Sequence, residues 1–143
     1  MSEPRTGGCL CGAVRYRCTS DPAITGHCHC EDCRRTSGTG HGTHAAFAAD
    51  AFEIEGETRG YARSADSGNL VTRHFCPTCG SAIYSTNDAM AGLVFVRASS
   101  LDDPNRVDPQ MVVYASRAPR WDLVDPALPS FAEMPPQMPI DGG

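Results

Sequence analysis

Seven of the eight cysteines fall in three short groups: Cys9-Leu10-Cys11, Cys28-His29-Cys30-Glu31-Asp32-Cys33 and Cys76-Pro77-Thr78-Cys79. Thiols this close in sequence pair poorly with one another, but their sulfurs can converge on a single ion. Residues i and i+2 of a strand share a face, so Cys9 and Cys11, read at the head of a strand, can present both sulfurs together. Cys76 and Cys79 form a CxxC turn, and Gly80 can take the positive φ that closing such a turn often needs. One CxC plus one CxxC supplies four thiolates, the ligand set of a closed, structural zinc site. In the middle group, Cys28 and Cys30 share a strand face. A helix starting at Glu31 would bring Cys33 back to the same side. Three sulfurs with no fourth is the open arrangement of catalytic zinc, its last position left to water, a substrate thiolate or a nearby His. Spacing alone does not assign partners: Cys28 and Cys30 can equally join Cys76 and Cys79. Cys18 continues the apolar face of its strand and reads as a small core residue.

Three thiolates on Zn²⁺ leave a net charge near minus one, which suits a bound thiol better than an activated water. A coordinating thiol is deprotonated outright, and a soft ligand matches a soft site. Arg34 and Arg35 follow the cluster directly and are candidates for balancing its charge and binding a substrate carboxylate. The competing reading is a solvated helix face paired with Glu31 or Asp32. His41 and His44, on the next expected strand, are candidates to line the cleft. His29 and His27 share the strand face opposite the sulfurs, and His74 reads as structural. Ser37 reads as a cap or turn residue. Tyr16, Tyr61, Phe75 and Phe95 read as core rather than ligand-stacking residues.

An even cysteine count would suit four disulfides in a secreted chain. Met-Ser-Glu-Pro-Arg-Thr-Gly-Gly has no apolar signal region, so the expectation is a cytoplasmic protein with reduced thiols. A thioredoxin-type reading of Cys76 and Cys79 fails because Ser81-Ala82-Ile83-Tyr84-Ser85 reads as a strand, not a helix. The 143 residues fit a single domain, 1–143, and 41% apolar content supports a modest core. Mean hydropathy is -0.30, and no apolar run nears the ~18–20 residues of a bilayer span. A net charge of -5 argues against a general nucleic-acid binder. All 12 basic residues are Arg. Lys-based Schiff-base chemistry and Lys-dependent phosphate loops are thereby excluded.

The elements that must position these groups are mostly strands, expected at 11–18, 24–29, 41–47, 52–55, 58–62, 70–75, 82–85, 93–98 and 111–114. Alternation is clearest in Val14/Tyr16/Cys18 and in Leu93/Phe95 against Val94/Val96. One short helix is expected over 31–36, ended by Ser37-Gly38. Six of the 11 prolines lie in residues 119–143. This segment reads as extended over the surface, anchored by Trp121 and Phe131, with 139–143 disordered.

Three stretches carry a family resemblance: Gly8-Cys9-Leu10-Cys11-Gly12-Ala13-Val14-Arg15-Tyr16, Cys28-His29-Cys30-Glu31-Asp32-Cys33-Arg34-Arg35-Thr36-Ser37-Gly38 and Phe75-Cys76-Pro77-Thr78-Cys79-Gly80-Ser81. Ser100-Leu101-Asp102-Asp103-Pro104 and Trp121 with Leu128-Pro129 extend it. The sequence resembles the glutathione-dependent formaldehyde-activating enzyme family, which includes centromere protein V. The resemblance implies coiled antiparallel β-sheets of the Mss-four-like type and two zinc ions per chain. It implies that Cys9, Cys11, Cys76 and Cys79 hold a structural zinc and that Cys28, Cys30 and Cys33 hold a catalytic one. The implied reaction joins formaldehyde to glutathione as S-hydroxymethylglutathione, a carbon–sulfur lyase reaction, with a small-molecule thiol as partner and neither nucleic acid nor membrane. One departure is Pro109-Gln110-Met111, where the family often has a His two residues after the Pro. Two other readings remain: a zinc-stabilised β module that binds a protein, and a thiolate zinc or redox sensor. A binding module needs only the four-cysteine site, so the presence of Cys28, Cys30 and Cys33 favours the enzyme or the sensor.

Overall fold

The computed structural model describes residues 3–135. These described residues form ten strands and one α-helix. The strands are β1 (Arg5–Gly8), β2 (Arg15–Cys18), β3 (Ile24–Cys28), β4 (Gly42–Ala48), β5 (Phe52–Glu55), β6 (Arg59–Ser64), β7 (Leu70–Phe75), β8 (Ala82–Asn87), β9 (Leu93–Arg97) and β10 (Met111–Val113). The helix, α1, spans Glu31–Ser37 and ends on Gly38 at φ 77°, a left-handed cap that glycine takes without steric cost. A small sheet runs β1-β2-β5 and a large one runs β10-β3-β4-β9-β8-β7-β6. All pairs are antiparallel except β10 with β3, which is parallel. The large sheet is therefore mixed, where a wholly antiparallel one was expected. The rest matches the coiled β architecture that the resemblance implied.

Side-chain alternation explains how the two sheets pack. On β2, Tyr16 and Cys18 are buried while Arg15 and Arg17 face water. With Val14 they meet Phe47, Ile83, Val94 and Val96 from the large sheet. The opposite face of β9 sends Leu93 and Phe95 into a second cluster with Ile24, Ala46, Met111 and Val113. Cys18 is fully buried in the first cluster and apart from the other cysteines, and burial pushes its thiol up to about 12. Tyr61, expected in the core, is 60% exposed because β6 is an edge strand with no buried position. β1 was not expected, since Arg-Thr-Gly-Gly lacks any apolar alternation. It pairs with β2 because Gly7 admits the Tyr16 hydroxyl, which a Cβ there would meet at 2.4 Å.

Up to residue 135 the proline-rich segment forms turns and irregular chain without helix or named strand, and its anchors differ from those expected. Phe131 packs into the second cluster, and its N–H donates to the Val112 carbonyl at 2.9 Å. Trp121 is 69% exposed, and its neighbour Asp122 makes the attachment instead. The expectation of disorder over 139–143 falls outside the described residues. No helix among the described residues is long and apolar enough to cross a membrane.

Candidate metal centres and the adjoining cavity

The first cysteine group sits on a turn, not on a strand as expected. Gly12 takes φ 84°, the Gly12 N–H donates to the Cys9 carbonyl, and the Cys9 N–H donates to the Val14 carbonyl at 3.1 Å. The turn faces the Cys76–Cys79 turn, where Gly80 lies at φ 79°. The sulfurs of Cys9, Cys11, Cys76 and Cys79 all lie within 4.8 Å of one another. Cys9 and Cys11 are 3.6 Å apart, and Cys11 and Cys76 3.7 Å. A tetrahedron with metal–sulfur bonds of about 2.3 Å has edges of about 3.8 Å, so the four fit one zinc-sized ion. Backbone N–H groups aim at the sulfurs, from Val14 to Cys9 at 3.2 Å and from Thr78 to Cys76 at 3.4 Å. Such donors stabilise thiolates. Hydrogen bonds from Ser81 pull the Cys79 thiol down to about 5. None of the eight cysteines is in a disulfide.

The second group forms at the junction of β3 and α1. Cys28 ends β3, Cys30 caps α1, and Cys33 lies in its first turn. The Cys30 sulfur accepts from the Cys33 N–H at 3.3 Å, so the helix cap itself closes the cluster. The three sulfurs lie within 4.8 Å of one another, and no fourth sulfur, imidazole or carboxylate of the described residues joins them. Cys30 is held well below an ordinary thiol by hydrogen bonds from Cys28 and Cys33, and the Arg73 charge adds to this. His44 Nε2 stands 3.3 Å from Cys33 Sγ. Desolvation, followed by the charges of Arg97 and Arg73, lowers His44 to about 3. A neutral imidazole can donate Nε2–H to a thiolate without adding charge.

The large sheet curls one face around a cavity of about 360 Å³ with these three cysteines in its wall. Ile24, Ala46, Val71, Phe95 and Met111 make most of the lining apolar, and Arg73 lines it as well. Of the four residues expected at a substrate, His44 alone lines this cavity. Arg35 lies on the far side of α1 from Cys33, exposed, and pairs with Glu31 at 2.9 Å. Arg34 is half-buried about 100° around the helix from Cys33, and it too is outside the cavity. His41 faces the other way. Its Nδ1 lies 2.7 Å from Asp122 Oδ2, and the buried His29 Nδ1 lies 3.2 Å from the same oxygen. The rings of His27 and His29 both pack edge-on against His41. His74 stacks on Tyr84 and Ser37 Oγ donates to the Arg34 carbonyl, the structural roles expected of both.

Arg73, Asp122 and Arg97 were not singled out from sequence. Arg73 had one legible signal: it shares the β7 face of Val71, two residues before Phe75 and close to the CxxC turn. Asp122 had none, because its partners lie far away in sequence.

A two-sheet β fold with one group of four cysteines and one of three, each close enough to hold a metal ion, defines the class of protein. Within it, the profile of the glutathione-dependent formaldehyde-activating enzyme family matches residues 4–117. A Halomonas elongata protein assigned by name to that family is 31% identical over 121 residues, covering 80% of this chain and 77% of its own. The crystal structure of a Rhodobacter sphaeroides protein superposes with a TM-score of 0.55 at 22% identity, over 73% of this chain and 91% of that one, and shares the fold. The chain belongs to the glutathione-dependent formaldehyde-activating enzyme family.

Proposed function

We propose that the protein joins a low-molecular-weight thiol to formaldehyde at a zinc ion held by Cys28, Cys30 and Cys33, and that residues 1–143 act as a single cytoplasmic domain. The observation that carries this reading is the three-cysteine group in the wall of a cavity open to solvent, with no fourth ligand among the described residues. Cys9, Cys11, Cys76 and Cys79 would hold a second zinc with a purely structural role.

Zinc bound at the three cysteines would supply the charge that favours the thiolate form of an incoming thiol. The chain's own groups do the rest. Hydrogen bonds from Cys28 and Cys33 and the α1 cap favour the thiolate form of Cys30. His44 fixes Cys33 through Nε2, and the mostly apolar lining leaves few side chains to compete for the aldehyde. The thiol gives up its proton, its sulfur electron pair forms the bond to carbon, and the carbonyl π pair moves to oxygen, which takes up a proton. The reverse breaks that carbon–sulfur bond, which is the lyase direction. Glutathione is the thiol that the family's name carries; S-hydroxymethylglutathione or a related thiol adduct is the product.

The test is Cys30→Ser in zinc-loaded protein. Thiol-dependent formaldehyde consumption should fall by at least about 100-fold while the four-cysteine metal is retained. Unchanged turnover with normal metal content would overturn the proposal.

A further inference from the structure

The cavity beside Cys28, Cys30 and Cys33 is larger and more apolar than formaldehyde requires. Its volume of about 360 Å³ falls in the range of pockets that hold drug-sized ligands, whereas formaldehyde is a single carbon and a single oxygen. The pairing registers show how the wall is built. Ile24 of β3 lies opposite Ala46 of β4, and Ala46 lies opposite Phe95 of β9. Residues i and i+2 of a strand share a face, so this apolar row stands on the same face as Cys28. Gly26 lies between Ile24 and Cys28 and adds no side chain to that face. Cys28 itself packs against the apolar cluster of Ile24, Ala46, Met111 and Val113. An apolar trough therefore runs from the three-cysteine group along β3, and from Cys28 to Ile24 it spans about 13 Å at strand spacing.

Formaldehyde fills little of this trough and has no chain to bury in it. Glutathione presents two carboxylates and an ammonium, which would lose hydration against apolar side chains. With its sulfur at the metal, its charged body stays toward solvent, the side on which exposed Ser67 lines the cavity. The remaining reactant is the aldehyde. The charge in the cavity wall belongs to the thiolates of Cys28, Cys30 and Cys33, the zinc they would hold, and Arg73. An uncharged chain leaves that balance unaltered. Building on the thiol chemistry proposed above, we propose that the protein also adds its thiol to aldehydes with a linear apolar chain, and that Ile24, Ala46 and Phe95 bind the chain. The sulfur pair forms the bond to the carbonyl carbon, the π pair moves to oxygen, and oxygen takes up the proton that the thiol gave up. The product is a hydroxyalkyl thioether. Formaldehyde remains a substrate that leaves the trough unfilled.

The experiment measures kcat/KM for propanal, butanal, pentanal and hexanal with glutathione and the zinc-loaded full chain, the spontaneous reaction subtracted and formaldehyde run alongside. Carbonyl reactivity is nearly constant over this series, so the chain alone varies. Each added methylene should raise kcat/KM about threefold. Ala46→Leu, which extends the wall into the trough, should lower hexanal at least about tenfold more than propanal. Gly26→Ala, whose Cβ would meet the flexible Met111 Cγ at 3.3 Å, should shift the ratio the same way and replaces Ala46→Leu if that variant does not fold. A flat or falling series, with formaldehyde still consumed, would overturn the aldehyde assignment and leave the thiol chemistry standing. So would a rising series that both variants leave unaltered. If fully zinc-loaded protein consumes no aldehyde, formaldehyde included, the proposed function falls and this inference with it.

Discussion

His44 Nε2 lies 3.3 Å from Cys33 Sγ, which ties the three-cysteine group to β4 across the start of α1. Groups that orient a metal ligand contribute to metal affinity without touching the ion. His44→Ala should weaken metal binding at Cys28, Cys30 and Cys33 by about 10–100-fold and leave the four-cysteine site unchanged. Competition against a graded series of chelators checks this, with the two sites read separately.

The cluster of four cysteines joins turns 65 residues apart in the chain, so its metal should carry much of the fold's stability. Cys76→Ser should remove one metal equivalent and lower the melting midpoint by about 10 °C or more, in line with a loss above about 3 kcal/mol. Cys30→Ser should remove one equivalent with a much smaller thermal effect. Differential scanning calorimetry on metal-quantified samples compares the two.

Cys18 is buried in the core, away from both clusters. Cys18→Ala should cost about 1 kcal/mol, the price of a small cavity, with full metal content retained. A lost equivalent in this variant would mean that Cys18 is a ligand.

How much of this could be read from the chain depended on distance in sequence. Cys28, Cys30 and Cys33 were legible as a group because a strand end and a helix turn are local geometry. So was α1, whose cap and Gly38 lie beside them. Cys9 and Cys11 were legible as a pair that meets Cys76 and Cys79 but were placed on a strand. A CxC presents two sulfurs together either way, and only the hydrogen bonds of Gly12 and Val14 decide for the turn. The parallel pairing of β10 with β3 leaves no local pattern, since it depends on a long crossover. Arg34 and Arg35 were favoured for their place beside Cys33, but helical rotation turns them away. The cavity draws its cation from β7, a strand distant in sequence and adjacent in space.

Asp122 brings the tail onto the sheet by meeting His41 and the buried His29. Asp122→Ala leaves both imidazole Nδ1 atoms without that acceptor and should cost about 1–3 kcal/mol. Urea unfolding checks the cost, and proteolysis should cut the variant's tail before its sheets.

A second surface tie has a defined pH dependence. Arg15, with a hydrogen bond from Thr6 Oγ1 at 2.7 Å, holds the Asp102 carboxyl down to about 2 from 3.8. The native state therefore binds this proton less readily than the unfolded chain does. The stabilisation is complete above about pH 4 and is lost as the pH falls through 2. The pair is half-exposed, so Asp102→Asn should cost only about 0.5–1 kcal/mol at neutral pH. The gap between variant and parent should close on acidification, measured by urea unfolding as a function of pH.

The most direct test of the central claim, that the seven clustered cysteines divide into a closed site and an open one, is zinc stoichiometry with and without an added thiol. The account predicts two equivalents per chain, of which thiol perturbs one, and Cys30→Ser retains one equivalent that no thiol affects. A single tightly held equivalent indifferent to thiol would contradict it.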